Sequence, residues 1–173
     1  FDLAELEALI NGPIEGEAFK HHREFYEGFN ALARQSLKIP SIKATLRPYQ
    51  TEGVKWMKYL YDNNMGGCLA DDMGLGKTLQ TIGMLNLVYP AEKKTTLLVM
   101  PRSLLFNWQS EIARFSPNLS VYTYYGNTRD LNEAMKRQVV LTTYAIVRND
   151  IETFRKQMFH YVILDESQNI KNV

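Results

Sequence analysis

Leu69-Ala70-Asp71-Asp72-Met73-Gly74-Leu75-Gly76-Lys77-Thr78 is the stretch that decides the fold. It leaves a short apolar run, turns on two glycines and enters a helical pattern. Gly74 and Gly76 let the backbone take angles that a side chain forbids, and they bring amide N–H groups close to an anion. The helix beginning near Lys77 adds its positive N-terminal end. These are the parts of a phosphate cradle, in which Lys77 reaches the β and γ phosphates of a nucleotide and the Thr78 hydroxyl is a ligand for Mg²⁺. An ordinary glycine turn before a helix requires neither Lys nor Thr directly after the second glycine. A strict G-x-x-x-x-G-K-T pattern fails at one place, because Asp71 stands where the first glycine belongs. The pair Asp71-Asp72 also fits a solvated turn.

A second constellation lies downstream at Tyr161-Val162-Ile163-Leu164-Asp165-Glu166, where an apolar strand ends in two carboxylates. Ligands of open parallel sheets gather at such carboxyl ends. Asp165 is the candidate Mg²⁺ holder and Glu166 the candidate that orients and polarises an attacking water. Alone, the pair is no more than a strand running into a polar turn. Its weight comes from lying 88 positions after Lys77, a spacing that leaves room for intervening strand and helix units of one sheet.

Those units are legible. Strand candidates occur at 67–70, 96–100, 120–124, 138–142 and 161–164, with helical stretches at about 77–88, 103–115, 128–136 and 149–157. Pro48 opens a helix to about residue 63 with Val54, Met57 and Tyr61 on one face. Alternating strands and helices predict an α/β domain with a mainly parallel sheet between helices. Residues 1–40 have a different rhythm. Helices are expected at 3–10 and about 17–35, the second with Phe19, Phe25, Phe29 and Leu32 as an apolar stripe, and Ile39-Pro40-Ser41 breaks the pattern. The organisation expected is therefore a helical accessory segment over 1–40 and one lobe over 41–173.

Composition bounds the reading without naming a partner. The chain has 173 residues, 45% hydrophobic, with 20 Lys and Arg against 19 Asp and Glu. No global basic field marks a nucleic-acid ligand. Residues 1–40 hold 7 acids and 4 bases, whereas 41–173 hold 12 and 16. A single cysteine, Cys68, excludes an internal disulfide and fits a reducing, cytoplasmic setting. Cys68 is expected as a small buried thiol within its strand. No apolar run approaches the roughly 20 residues of a membrane-spanning helix. The start at Phe1 and the stop shortly after the acidic pair read as a piece of a longer protein.

Several further strings resemble helicase superfamily 2, and within it the Swi2/Snf2 branch, from about Leu46 to Val173. Leu46-Arg47-Pro48-Tyr49-Gln50 with Gly53 and Trp56-Met57 resembles the opening motif, and Gln50 is the implied adenine contact. The glycine loop resembles motif I, where an acidic residue commonly replaces the first glycine. Leu97-Leu98-Val99-Met100-Pro101-Arg102-Ser103-Leu104-Leu105, running on to Asn107-Trp108 and Glu111, resembles motif Ia, and Leu141-Thr142-Thr143-Tyr144 resembles motif Ib. Asp165-Glu166-Ser167-Gln168-Asn169-Ile170-Lys171-Asn172 resembles motif II, with Ser167 in place of a more usual alanine.

The resemblance implies a RecA-like P-loop lobe that uses ATP and Mg²⁺, acts on double-stranded DNA in the nucleus or on the nucleoid, and works with a second RecA-like lobe on a DNA-bound protein target. It implies nucleic-acid contacts at Arg102, Ser103 and Thr143. From the residues alone Ser103 also fits a cap for the next helix, Thr143 fits a cap for the following turn, and Arg102 fits a solvated charge. Trp108 belongs to a core-facing stripe with Leu105, Ile112 and Phe115. Tyr122, Tyr124 and Tyr125 fit strand alternation better than base stacking. An RNA-dependent ATPase, a small-molecule kinase on the same loop, and a DNA-binding module with a vestigial nucleotide site remain as alternative readings.

Overall fold

The computed structural model describes residues 17–32, 36–39, 42–70, 74–89 and 92–170. The expected helix at 3–10, the break at Pro40-Ser41, the acids Asp71 and Asp72, and the end of motif II at Lys171-Asn172 lie outside the described residues.

The centre is a parallel sheet of β1 (Thr96–Met100), β2 (Val121–Thr123), β3 (Val139–Thr143) and β4 (Tyr161–Leu164), in the order β2-β3-β1-β4. Met100 stands beside Thr143 and Val99 beside Leu164, so all these strands end at one rim. β1 and β3 are buried along their whole length, as near-continuous apolar strings should be when both faces of a parallel sheet are covered.

Alternation then divides the core. Leu98, Met100, Val139 and Leu141 pack with Ile82 and Leu85 of α3 (Lys77–Val88) and with Leu105, Trp108 and Ile112 of α4 (Leu105–Phe115). Leu97, Val99 and Val140 face the other way, toward Leu131 and Ala134 of α5 (Leu131–Ala134), Tyr124, and Phe154 of α7 (Ile151–Phe154). Between them α6 (Tyr144–Asn149) follows β3 directly. The expected α/β architecture is thus the observed one.

Two helices precede the sheet. α1 (Glu17–Leu32) lies on α2 (Pro48–Asp62), where Phe25 and Phe29 meet the Tyr59 ring at 5.0 and 6.2 Å and the Tyr59 hydroxyl donates to the Phe25 carbonyl at 2.6 Å. Pro48 occupies the first turn of α2, where its missing N–H costs nothing.

Three local expectations are corrected. Residues 67–70 form no strand, and Cys68 is exposed rather than buried. The backbone there leans on α2 instead: a Cβ at Gly67 would lie 2.3 Å from Leu60 Cδ1 and 2.7 Å from Trp56 Cη2. β4 is consequently the sheet edge, with Val162 and Leu164 about half exposed. The third correction concerns Ser103, which does not cap α4. It sits inside a 3₁₀ turn over Arg102–Leu104, and α4 starts after Leu104 without a side-chain cap.

Candidate nucleotide and nucleic-acid site

The glycine loop is held from behind. Gly74 and Gly76 have φ of 84° and 79°, and Gly76 is the residue from which α3 starts. Leu75 between them presents its carbonyl to two side chains of α2. Gln50 Nε2 donates to it at 3.1 Å and the Tyr49 hydroxyl at 3.2 Å, while Gln50 Oε1 accepts from the Arg47 amide at 2.9 Å. Gln50 is 7% exposed, so from a buried position one end of its amide braces the loop while the other is fixed to the start of α2. A Cβ on Gly76 would come within 2.4 Å of Gln50 Nε2, so only glycine satisfies both the left-handed angle and the contact. Thr78 is half-buried in the first turn of α3.

Beyond the loop lies a cavity of about 580 Å³. Its wall includes Lys77, Trp108, Asp165 and Glu166, together with the 67–70 segment and β4. The loop lysine and the two acids therefore share one space, as a single nucleotide site requires.

Asp165 is fixed on all sides. Its amide donates to the Val99 carbonyl at 2.8 Å, extending the β1–β4 pairing, and its carbonyl accepts from the Tyr144 hydroxyl at 2.8 Å. On its carboxylate, Oδ2 accepts from the Trp108 indole N–H at 2.7 Å and Oδ1 from the Glu166 amide at 3.0 Å. Burial first, then the negative charges of Asp165 and Glu166, push the Tyr144 hydroxyl above its ordinary pKa and keep it a donor. Glu166 takes a left-handed backbone at φ 50° and ψ 49°, which costs a non-glycine residue about 1–2 kcal/mol. Its carboxylate accepts from Gln168 Nε2.

The donor set fits Mg²⁺. Among the described residues no group of three or more His, Cys, Asp or Glu could hold a metal alone. Mg²⁺ is instead held by one or two carboxylates plus phosphate oxygens and water, and the doubly anchored Asp165 beside the phosphate loop offers such a partner. A carboxylate has about four lone-pair positions, and the two occupied here leave oxygen capacity for a hydrated cation.

The proposed nucleic-acid residues cluster at the same rim. Arg102 and Ser103 follow β1 and are exposed, with the Arg102 guanidinium 5.8 Å from the centre of the Tyr125 ring. Thr143 ends β3 and is only 3% exposed, and its hydroxyl accepts from the Ile146 amide at 3.4 Å, capping α6. Trp108 is 2% exposed, as its stripe position implies.

Comparison with known proteins decides the family: residues 49–173 match the model of the SNF2-related domain. The chain belongs to that family. Its SNF2-related sequence is 39% identical over 181 residues to helicase SWR1 of Candida albicans, covering 97% of this chain and 11% of that protein. It is 44% identical over 132 residues to an uncharacterized ATP-dependent helicase of Mycoplasma genitalium, covering 73% and 13%. Among solved structures it resembles the Sulfolobus solfataricus SWI2/SNF2 ATPase core in complex with dsDNA, at 39% identity and a TM-score of 0.74, over 80% of this chain and 29% of that one. The chain thus spans about a tenth of the length of these curated relatives.

The reading from residues missed the bonds to Asp165 from Trp108 and Tyr144. A signal for the first was present, since a buried tryptophan usually finds an acceptor for its indole N–H. No spacing rule joins positions 57 residues apart.

Proposed function

We propose that this chain is the first RecA-like lobe, over residues 41–173, of a double-stranded-DNA-dependent ATPase that translocates and displaces DNA-bound protein, with residues 1–40 as an accessory segment. The observation that carries this is that Lys77, Asp165 and Glu166 line one cavity, which runs along β4 to the rim where the strands end. Gly74 and Gly76 present backbone amides to the triphosphate, Lys77 takes the β and γ oxygens, and Gln50 lies against the loop on the adenine side. Glu166 orients water for attack and accepts its proton. Asp165 and Thr78 would hold Mg²⁺, which when bound would supply positive charge to the phosphoryl group being transferred. Arg102 and Ser103, both exposed, bind the DNA backbone, while Thr143, buried and capping α6, holds the neighbouring strand end in place rather than touching DNA itself, so that DNA and nucleotide act on neighbouring loops. A setting in the nucleus or on the nucleoid follows from that substrate.

Related nucleotide hydrolases gain 10³–10⁵ in rate from an arginine supplied by a second element. Such a residue belongs to a second lobe, so residues 1–173 alone bind ATP weakly and turn it over slowly. The test compares this chain with a longer one carrying both lobes, measuring turnover with duplex DNA, single-stranded RNA or neither. In the two-lobe protein duplex DNA stimulates most, Lys77→Ala loses nucleotide binding, and Glu166→Gln retains binding but loses turnover by about a hundredfold or more. Undiminished turnover in Glu166→Gln removes its role, and stimulation by RNA alone reassigns the substrate.

A further inference from the structure

The buried Trp108 does more than fill the core, and its indole N–H is the reason. α4 packs through Leu105, Trp108 and Ile112, but of these only Trp108 carries a polar atom, and that atom points at Asp165 Oδ2 from 2.7 Å. With the Glu166 amide on Oδ1, the carboxylate is pinned at both oxygens. A planar group bonded at both ends has lost its rotamer freedom and presents its remaining lone pairs in fixed directions.

We propose that Trp108 is a positioning residue for Asp165, holding its carboxylate in the one orientation from which it takes a Mg²⁺–nucleotide, with the Tyr144 hydroxyl anchoring the Asp165 backbone beside it. The arrangement has a consequence for control of the site. Trp108 lies one turn after Leu104 at the end of the Arg102–Leu104 turn, and Tyr144 directly follows Thr143. The residues that hold Asp165 therefore belong to the same two strand-end segments as Arg102, Ser103 and Thr143. Each segment thus reaches Asp165 through a single side chain, Trp108 at its carboxylate and Tyr144 at its backbone carbonyl. The inference rests on the nucleotide-site reading above and adds to it a role for the aromatic residues behind the acids.

The test separates metal from nucleotide. Binding of a non-hydrolysable ATP analogue to the chain is followed by calorimetry, once in EDTA and once across a Mg²⁺ titration. In Trp108→Phe, which keeps an aromatic ring but has no N–H, affinity in EDTA stays at the unsubstituted value while the Mg²⁺ needed for half-maximal enhancement rises about tenfold, the scale on which groups that orient metal ligands act. Tyr144→Phe moves in the same direction. A folded Trp108→Phe chain with unchanged Mg²⁺ dependence overturns the proposal. Should Lys77→Ala also bind the analogue normally, the nucleotide-site reading falls with it, whereas loss of binding in Lys77→Ala confines the failure to Trp108.

A second measurement needs neither metal nor nucleotide and does not depend on Trp108→Phe folding. The chain has two indole N–H resonances, from Trp56 and Trp108, and Trp56→Phe identifies the second. The Trp108 resonance lies downfield, exchanges slowly with solvent, and moves upfield in Asp165→Ala while the Trp56 resonance holds. A Trp108 resonance unaffected by Asp165→Ala overturns the proposal.

Discussion

Asp150 shows how much one side chain organises beyond the end of β2, at the opposite sheet edge from the acids. Arg129 grips it with two nitrogens, Nε to Oδ2 at 2.7 Å and Nη2 to Oδ1 at 3.0 Å, and donates its third to the Gly126 carbonyl at 2.6 Å. The Tyr124 hydroxyl adds a bond to Oδ2 at 2.9 Å. The Arg129 guanidinium foremost, with the Tyr124 hydroxyl, outweighs burial and holds the Asp150 carboxyl below its ordinary range. Since the folded carboxylate binds its proton less tightly than an unfolded one at about 3.9, this group's stabilisation is complete above that value and is lost as pH falls through the lower folded one. Urea unfolding between about pH 6 and pH 2.5 should therefore show a steeper acid loss in the unsubstituted chain than in Asp150→Asn, and equal slopes would remove Asp150 as a contributor. Nothing in the sequence announces this clasp, because Arg129 and Asp150 stand 21 positions apart with no periodic relation. By contrast the pairing of Lys77 with Asp165 and Glu166 on one cavity follows from two strings readable in the sequence, a glycine loop before a helix and an apolar strand ending in two acids.

Elements differ in legibility for a related reason. β1 and β4 stand where their apolar runs predict, and β3 is shifted by a single residue, from 138–142 to Val139–Thr143. Composition also matches the full burial of β1 and β3, but not that of β4, whose edge position leaves Val162 and Leu164 half exposed. Helices expected at 128–136 and 149–157 shrink to single turns at Leu131–Ala134 and Ile151–Phe154. In each only the residues that plug the sheet are buried, Leu131 with Ala134 and Phe154 respectively, and their flanks are solvated. The segment 67–70 has an apolar composition suited to a strand, but it makes no ladder: Gly67 lies close against Trp56 and Leu60, and Cys68 and Ala70 are exposed. For α1 the apolar stripe does mark Phe25 and Phe29 as the packing face, but periodicity does not name the partner, Tyr59 of α2, or its hydroxyl bond to the Phe25 carbonyl. Tyr59→Phe deletes the bond to the Phe25 carbonyl and keeps the ring stack. A neutral hydrogen bond contributes about 1 kcal/mol, so amide exchange along α1 should quicken about fivefold, with nucleotide affinity unchanged. If exchange in α3 quickens equally, α1 is part of the lobe's cooperative core and not an accessory to it.

At the scale of the whole molecule, the site joins parts that are far apart in sequence. The phosphate loop hangs from α2 through Gln50 and Tyr49 and feeds α3, α3 packs on β1 and α4, and α4 reaches Asp165 at the end of β4 through Trp108. A nucleotide bound between Lys77 and Asp165 bridges the two ends of this path, so its binding energy should appear as stability of the entire lobe and not as local tightening of one loop. The size of the effect follows from mass action. A ligand at 100 times its dissociation constant stabilises the native state by about 2.7 kcal/mol. For a domain of this size each kcal/mol raises the midpoint by roughly 2–4 °C, so scanning calorimetry with Mg²⁺ and a non-hydrolysable ATP analogue should show a rise of roughly 5–10 °C in one undivided transition. Lys77→Ala should abolish most of that rise if, as proposed, its positive charge faces the β and γ phosphates. A rise confined to one of two separated transitions would mean that the loop and the acids do not belong to one cooperative unit, and the path through Gln50, α3, α4 and Trp108 would then not connect them.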